Sequence, residues 1–577
     1  MKLATIDIVV VILYAIGIFG LAQFVSRERA GHRKDTTDYF LASRTLPWWA
    51  IGASLIAANI SAEQIVGMSG SGYVIGLAIA SYEWMAALTL LIVGKFFLPI
   101  FLRNGIYTMP QFLEQRFGRG IRTLMAVFWL ALYIFVNLTS IIWLGSIAVN
   151  RVAGVNQDVA IVALGAFALL YQLYGGLKAV ALTDIVQVTL LVLGGLLVSG
   201  ITLTQLGGGS GILAGFHVLT QRLPEHFDMI LARSSPHYKE LPGLSVLIGG
   251  MWIANLSYWG FNQYIIQRAL AAKSIGEAQK GVVFAAYLKL LMPAIVVLPG
   301  IAAVILAPGL EKPDQAYPTM LHYLPAGILG LVFSALIAAI IASTASKINS
   351  IATIFTLDIY AKFRRDPDAP AQEGDIAHPQ VDEEAPAQAR RERELVLVGR
   401  IAALAAIVIA ILVARPLLGQ SDQAFQFIQE FTGFFTPGIV VMFLLGLFWK
   451  RATEAGAITA ALSSVLLSSL AKPDWTAIAA TQVHGGWIGK LIGISVGLVN
   501  GLLPILQPFH DLPFMDRMGI VFIASLALAM LVSLVRPAPT ASNLITMEGV
   551  SYRTPASFNI GGIGVILILI ALYATYW

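Results

Sequence analysis

The chain has 577 residues, 57% of them hydrophobic and 12% charged, with 37 Lys and Arg against 32 Asp and Glu. So little charge cannot cover the surfaces of the several soluble domains that a chain of this length would form, and its basic residues lie between apolar runs as in cytoplasmic loops, so nucleic acid is not expected as a partner. The chain has no cysteine, which excludes disulfides, thiol redox chemistry and thiolate metal sites.

Apolar runs of about 20 residues recur from end to end, each long enough to cross a bilayer as a helix. They are continuous rather than alternating, which argues against a β-barrel. In chain order the predicted helices cover 5–25, 48–73, 77–102, 120–150, 157–174, 178–204, 243–271, 275–307, 325–363, 395–415, 420–449, 454–471, 514–536 and 558–577. That is an all-α integral membrane protein of about fourteen spans, with both chain ends outside. A further run, 487–509, is broken by Gly and Pro and reads as a fifteenth span or a re-entrant piece. The first run has only Lys2 before it, while Arg27, Arg29, Arg33 and Lys34 follow, so it reads as an uncleaved helix whose far end is cytoplasmic. The loop with Arg103, Arg116, Arg119 and Arg122 is then cytoplasmic, as are Lys450 and Arg451. Residues 364–394, rich in Pro, Ala and acid, read as a disordered cytoplasmic linker. The loops 205–242 and 308–324 fall outside.

Two runs carry polar residues in mid-membrane, Ala57 to Ser61 and Asn255 to Gly260, five helices apart. Broken helices at corresponding positions of two halves point to a transporter's binding site, because unwound backbone at that depth is tolerated only along a cavity. Glu63, Glu83, Lys95, Asp184, Lys289, Lys347 and Glu430 also stand inside apolar runs, each costing roughly 2.5–3.5 kcal/mol at a helix centre. Any one of them can be a helix-helix contact or can snorkel, as Lys95 can from the end of its helix. Together with Asn59, Gln64, Asn255, Asn262, Gln263 and Gln429 they make a donor- and acceptor-rich set, accompanied by the rings of Tyr82, Tyr258, Trp259 and Phe425. That chemistry suits a neutral polyhydroxylated solute, whose hydroxyls donate and accept while its C–H face stacks on a ring.

Four stretches carry a family resemblance: Ser54–Tyr73 (SLIAANISAEQIVGMSGSGY), Ala80–Met85 (ASYEWM), Tyr258–Arg268 (YWGFNQYIIQR) and Gly446–Ala457 (GLFWKRATEAGA). They resemble the bacterial sodium/galactose symporters of the sodium/glucose symporter family, from about residue 38 to the C-terminus. The resemblance implies a leucine-transporter-like five-plus-five inverted repeat with extra flanking helices. Residues 1–47 would form an extra helix and loop, 48–204 the first repeat, 205–242 an outer loop, 243–449 the second repeat and 450–577 the extra C-terminal helices. It implies secondary active import of a galactose- or glucose-like sugar by alternating access, driven by sodium, in a multi-pass protein of the bacterial inner membrane. A homodimer is admitted, no organic cofactor is expected and no enzyme activity is implied.

By the same resemblance, Asn59, Gln64, Glu83, Asn255, Lys289 and Gln429 hold the sugar hydroxyls and Tyr258 stacks on the ring, closing the inner side with Trp259. Met68, Tyr82 and Phe425 form the outer gate. Ala86 stands where the family has a serine contact. The carbonyls of Ala57, Ile60 and Ala339 and the Ser343 hydroxyl match the sodium ligands, but Ala342 replaces a second hydroxyl. Asp184 matches a carboxylate on the cytoplasmic side of the ion. Lys347 stands where the family is apolar, on one helical face with Ala339 and Ser343. Either it turns to the cytoplasm and pairs with a carboxylate such as Asp184, or its ammonium approaches the ion site and weakens or replaces sodium, leaving a sodium-independent or proton-coupled transporter. Inositol remains open as another polar solute. A non-transporting sugar sensor and a channel-like uniporter are the competing classes. The glycines of 207–211 lack the Lys-Ser/Thr of a phosphate loop, and the eight histidines show no ligand spacing.

Overall fold

The computed structural model describes residues 3–26, 46–106, 108–174, 177–361, 385–472, 508–539 and 545–577. It is all helix, with one isolated β-bridge between Leu46 and Ala272. The elements are α1 (Thr5–Ser26), α2 (Trp48–Asn59), α3 (Glu63–Ile75), α4 (Leu77–Arg103), α5 (Met109–Phe117), α6 (Arg119–Ala153), α7 (Gln157–Tyr174), α8 (Leu177–Leu206) and α9 (Ile212–Arg222). There follow α10 (Gly250–Phe261), α11 (Gln263–Leu270), α12 (Ile275–Leu306), α13 (Ile328–Tyr360), α14 (Ala385–Leu418), α15 (Ala424–Thr432), α16 (Thr436–Phe448), α17 (Glu454–Leu470), α18 (Phe514–Val535) and α19 (Ala556–Thr575).

Among the described residues, eight helices are long and apolar enough to cross a membrane, or ten with the bent pairs α2–α3 and α15–α16 each taken as one span; the shorter α1, α7 and α17 and the pair α10–α11 are the remaining candidates for the fourteen expected. The run 487–509 lies outside the described residues. Helices α1, α14 and α19 turn Ile12, Leu13, Leu404, Leu412, Ile563 and Leu567 outward, as a lipid-facing surface requires.

Helix α12 is the central post, packed on α2, α3, α4 and α8. Small residues bring it close. A Cβ on Gly300 would lie 2.2 Å from the Ser69 carbonyl of α3, and one on Gly52 would lie 2.5 Å from Phe284. Lipid offers no hydrophobic drive for helices to associate, so such close backbone approach carries the packing.

The first break is where the sequence places it. Helix α2 ends at Asn59, Ile60 is extended (φ −67°, ψ 118°), and α3 leaves at a 69° bend. The second is not: α10 runs unbroken through Asn255 and Gly260 to Phe261, and the chain opens only at Asn262 (φ −83°, ψ 122°). Asn255 does not unwind its helix because its Nδ2 donates to the Met251 carbonyl one turn back, 3.1 Å away. A 43° bend between α15 and α16, at Gly433–Phe435, was not anticipated. The linker also needs correction. Helix α14 begins at Ala385 and takes in 385–394, where Ala, Gln, Arg and Glu are strong helix formers; 364–384 lies outside the described residues.

Candidate functional site: a polar chamber between broken helices

Side chains from α2, α3, α4, α6, α10, α12, α15, α16 and α18 line a cavity of about 130 Å³. Asn59, Gln64, Glu83, Asn255, Tyr258, Lys289 and Gln429 all reach its wall. At 10–15 Å³ per water-sized particle, the space takes on the order of ten, the scale of one monosaccharide.

Local backbone sets each group. The first turn of α3, Glu63–Gly67, is a wide π-helical turn that presents Glu63 and Gln64 inward. In α12, Pro293 cannot donate to the carbonyl of Lys289 one turn earlier, and its ring crowds that carbonyl, which loosens the helix at the lysine.

The centre of the wall is a buried ion pair. Lys289 Nζ and Glu83 Oε2 are 2.6 Å apart, with side chains 1% and 4% exposed. Burying two charges is justified only where hydrogen bonds satisfy their remaining donors and acceptors. They do: Gln64 Nε2 donates to the other Glu83 oxygen, and Lys289 also donates to Asn59 Oδ1. The Lys289 ammonium stands 5.0 Å from the Trp259 ring centroid. Asn59 Nδ2 in turn donates to the Tyr258 hydroxyl at 3.1 Å, and the Tyr264 hydroxyl donates to the same oxygen at 2.6 Å.

Tyr82 and Phe425 meet edge to face at 5.1 Å, and the Tyr82 hydroxyl donates to Gln426 Oε1 at 3.4 Å. Met68 is fully buried behind Gln64, whose Nε2 lies 3.4 Å from its sulfur. It does not join Tyr82 and Phe425 on the cavity wall. Tyr258 and Trp259 pack edge to face at 5.2 Å. Ala86 lines the chamber with a methyl group. Trp129, Tyr133 and Asn137 of α6 also line it and were not read from the sequence. The signal was there: Tyr133 and Asn137 are polar groups four apart in an apolar run, and a second π-helical turn, Leu132–Leu138, carries both.

A second, smaller cavity of about 20 Å³ lies beside the break after α2, lined by Ala57, Ser61, Glu63, Ala342, Ser343 and Lys347 among others. The Ser343 hydroxyl donates to the Ile60 carbonyl at 3.3 Å, which brings two expected sodium ligands together. Ala339 stands one turn before Ser343 in α13 but is not on the cavity wall. Ala342 contributes a methyl group where a hydroxyl would be an additional ligand. Hydroxyl, carbonyl and carboxylate oxygens are the donors a small hard cation prefers, and the space is that of about one water. The side chain of Asp184 lies outside the described residues.

A buried polar chamber beside broken helices, with a small cavity next to it lined by hydroxyls, a carboxylate and two basic side chains, is the architecture of a membrane transporter. The chain belongs to the sodium:solute symporter family, whose model matches residues 39–377 and 383–463. It is similar to the sodium/glucose cotransporter of Vibrio parahaemolyticus, at 46% identity over all of this chain and 99% of that one. It is also 32% identical to the human sodium/myo-inositol cotransporter 2, over 80% of this chain and 69% of the relative. Among solved structures, the substrate-bound outward-open state of a Na⁺-coupled sialic acid symporter aligns over 93% of this chain and 99% of that chain, at 21% identity and a TM-score of 0.68, which is a likeness of fold.

Proposed function

We propose that this protein imports a neutral monosaccharide, galactose- or glucose-like, across the bacterial inner membrane, driven by the sodium gradient through alternating access. One observation carries the sugar: the Glu83–Lys289 pair, with Gln64 and Asn59 bonded to it, walls a chamber of monosaccharide size beneath Tyr258. Carboxylate and carboxamide oxygens accept from sugar hydroxyls, ammonium and amide donate to them, and Tyr258 offers its ring to the C–H face. A solute with net charge would strand either Glu83 or Lys289.

Full-length similarity to a sodium/glucose cotransporter supports the same pairing of ion and sugar. The small cavity beside Ile60 and Ser343 is the place we assign to sodium, with Ala57, Ile60, Ala339 and Ser343 as ligands and Asp184 on its cytoplasmic side. Tyr82 and Phe425, backed by Met68, act as the outer gate, and Tyr258 with Trp259 as the inner one. A homodimer remains compatible with this reading, and its measure is the mass of the purified protein in detergent.

The test is a competition panel in proteoliposomes, with unlabelled sugars and inositol set against radiolabelled galactose, in sodium and in choline. Galactose or glucose should compete best, and only in sodium. Competition by myo-inositol above both sugars would transfer the substrate to the second class of relative. Equal accumulation in choline would remove the sodium coupling.

A further inference from the structure

The small cavity holds a charge that neither sugar binding nor sodium binding uses. Lys347 of α13 is 6% exposed and one turn beyond Ser343. Its Nζ stands 3.6 Å from the centroid of the Tyr264 ring and 5.3 Å from that of Tyr133, a cation on two ring faces. Glu63 lines the same cavity and its carboxylate attracts this ammonium. Glu63 is itself fixed by the hydroxyls of Ser140 and Ser61. Arg268 also reaches the cavity, and its guanidinium donates to Ser54 Oγ.

The lysine's platform is wired to the sugar chamber. Tyr264, beneath the ammonium, donates to the Tyr258 hydroxyl, which also accepts from Asn59, and Asn59 accepts from Lys289. The ammonium therefore sits at one end of a chain of contacts whose other end is the sugar-binding ion pair.

A space of about one water between Ser343, Glu63 and Lys347 brings a second cation close to the ammonium, and unit charges about 6 Å apart repel by roughly threefold in affinity in bulk water and roughly a hundredfold at an effective dielectric of about 20. We propose that Lys347 is a built-in cation of the sodium cavity: seated on Tyr264 and countered by Glu63, its ammonium competes with the incoming ion and so sets the sodium concentration at which the transporter loads. This rests on the reading of the chain as sodium-driven.

The experiment compares the wild type, Lys347→Met, Glu63→Gln and the double variant, each verified as monodisperse. Two readouts are taken: equilibrium binding of radioactive sodium in nanodiscs, and sodium activation of sugar uptake in proteoliposomes. Lys347→Met should lower the half-saturating sodium concentration by roughly fivefold or more in both assays, Glu63→Gln should raise it by a similar factor, and the double variant should return to within about twofold of wild type. If Lys347→Met does not fold, Lys347→Gln gives the same reading. A sodium-dependent wild type whose half-saturation is unmoved in both single variants overturns the proposal. A sodium-indifferent wild type that gains sodium dependence in Lys347→Met overturns the sodium-driven reading and this inference as stated, because the ammonium then replaces the ion instead of setting its loading concentration. Sodium indifference of the wild type and of Lys347→Met alike sinks the sodium-driven reading, and this inference with it.

Discussion

The least replaceable side chains are those that satisfy one another where water is scarce. Glu83→Gln leaves the Lys289 ammonium buried and unpaired, a defect of about 3–5 kcal/mol, whereas an apolar pair of similar volume is often neutral. Glu83→Gln should therefore lower both the thermal midpoint in detergent and sugar uptake. The double change Glu83→Met with Lys289→Met should recover the midpoint and leave uptake abolished. Recovered uptake in the double variant would mean that the pair is scaffolding. Gln64→Ala should depress uptake severely at normal membrane expression, because a site built to hydrogen-bond hydroxyls loses roughly ten- to hundredfold with each well-placed donor.

Asp314, in the loop between α12 and α13, is a second residue-scale case. Its Oδ2 accepts from the Ala424 amide at 3.2 Å, at the first residue of α15 and next to the chamber residue Phe425. Burial pushes its carboxyl from 3.8 up to about 7, with Asp422 adding to the rise and the Ala424 amide and Lys312 opposing it. The folded form thus holds the proton more tightly than the unfolded chain, so the contribution to stability is full below about pH 4 and is lost as pH rises through about 7. Asp314→Asn, which keeps an acceptor for Ala424, should flatten the pH dependence of the thermal midpoint between pH 5 and pH 8 and raise the midpoint at the upper end. Equal pH profiles for the two proteins would refute it.

At the scale of elements, close packing makes α12 the post on which α2 and α3 lean. Gly300→Ala forces a Cβ to 2.2 Å from the Ser69 carbonyl, and backbone cannot yield there. The expected loss is about 1–3 kcal/mol or more, seen as reduced monodisperse yield. Gly519→Ala in α18 meets nothing within 4 Å and serves as the matched control. Breaks were half legible. Asn59–Ser61 announces its break because the freed groups line cavities, but Asn255 looks like a break and is not, since a polar side chain can be satisfied by its own helix. The bend before Thr436 left no mark beyond Gly433 and Pro437, residues common in membrane helices.

For the whole molecule, transport requires that the inner side stay shut until ion and sugar are bound. On the proposed function Tyr258 closes that side, its hydroxyl accepting two hydrogen bonds, from Asn59 and Tyr264. Tyr258→Phe removes both, each about 1 kcal/mol, so sodium-free sugar efflux from loaded proteoliposomes should rise roughly thirtyfold. Efflux at the wild-type rate would place the inner closure elsewhere. The length and continuity of the apolar runs determined that the chain is a helical membrane protein, and the polar residues inside them named the chamber's groups, because charge in hydrocarbon is too costly to be incidental. Only the tertiary structure decided which polar groups meet. Lys347 faces Tyr264 and shares its cavity with Glu63, and α6 adds Tyr133 and Asn137 through a turn one residue too wide. Partners hundreds of residues apart, and the direction in which a buried side chain points, follow from how helices pack against each other, and that information is spread over the whole chain.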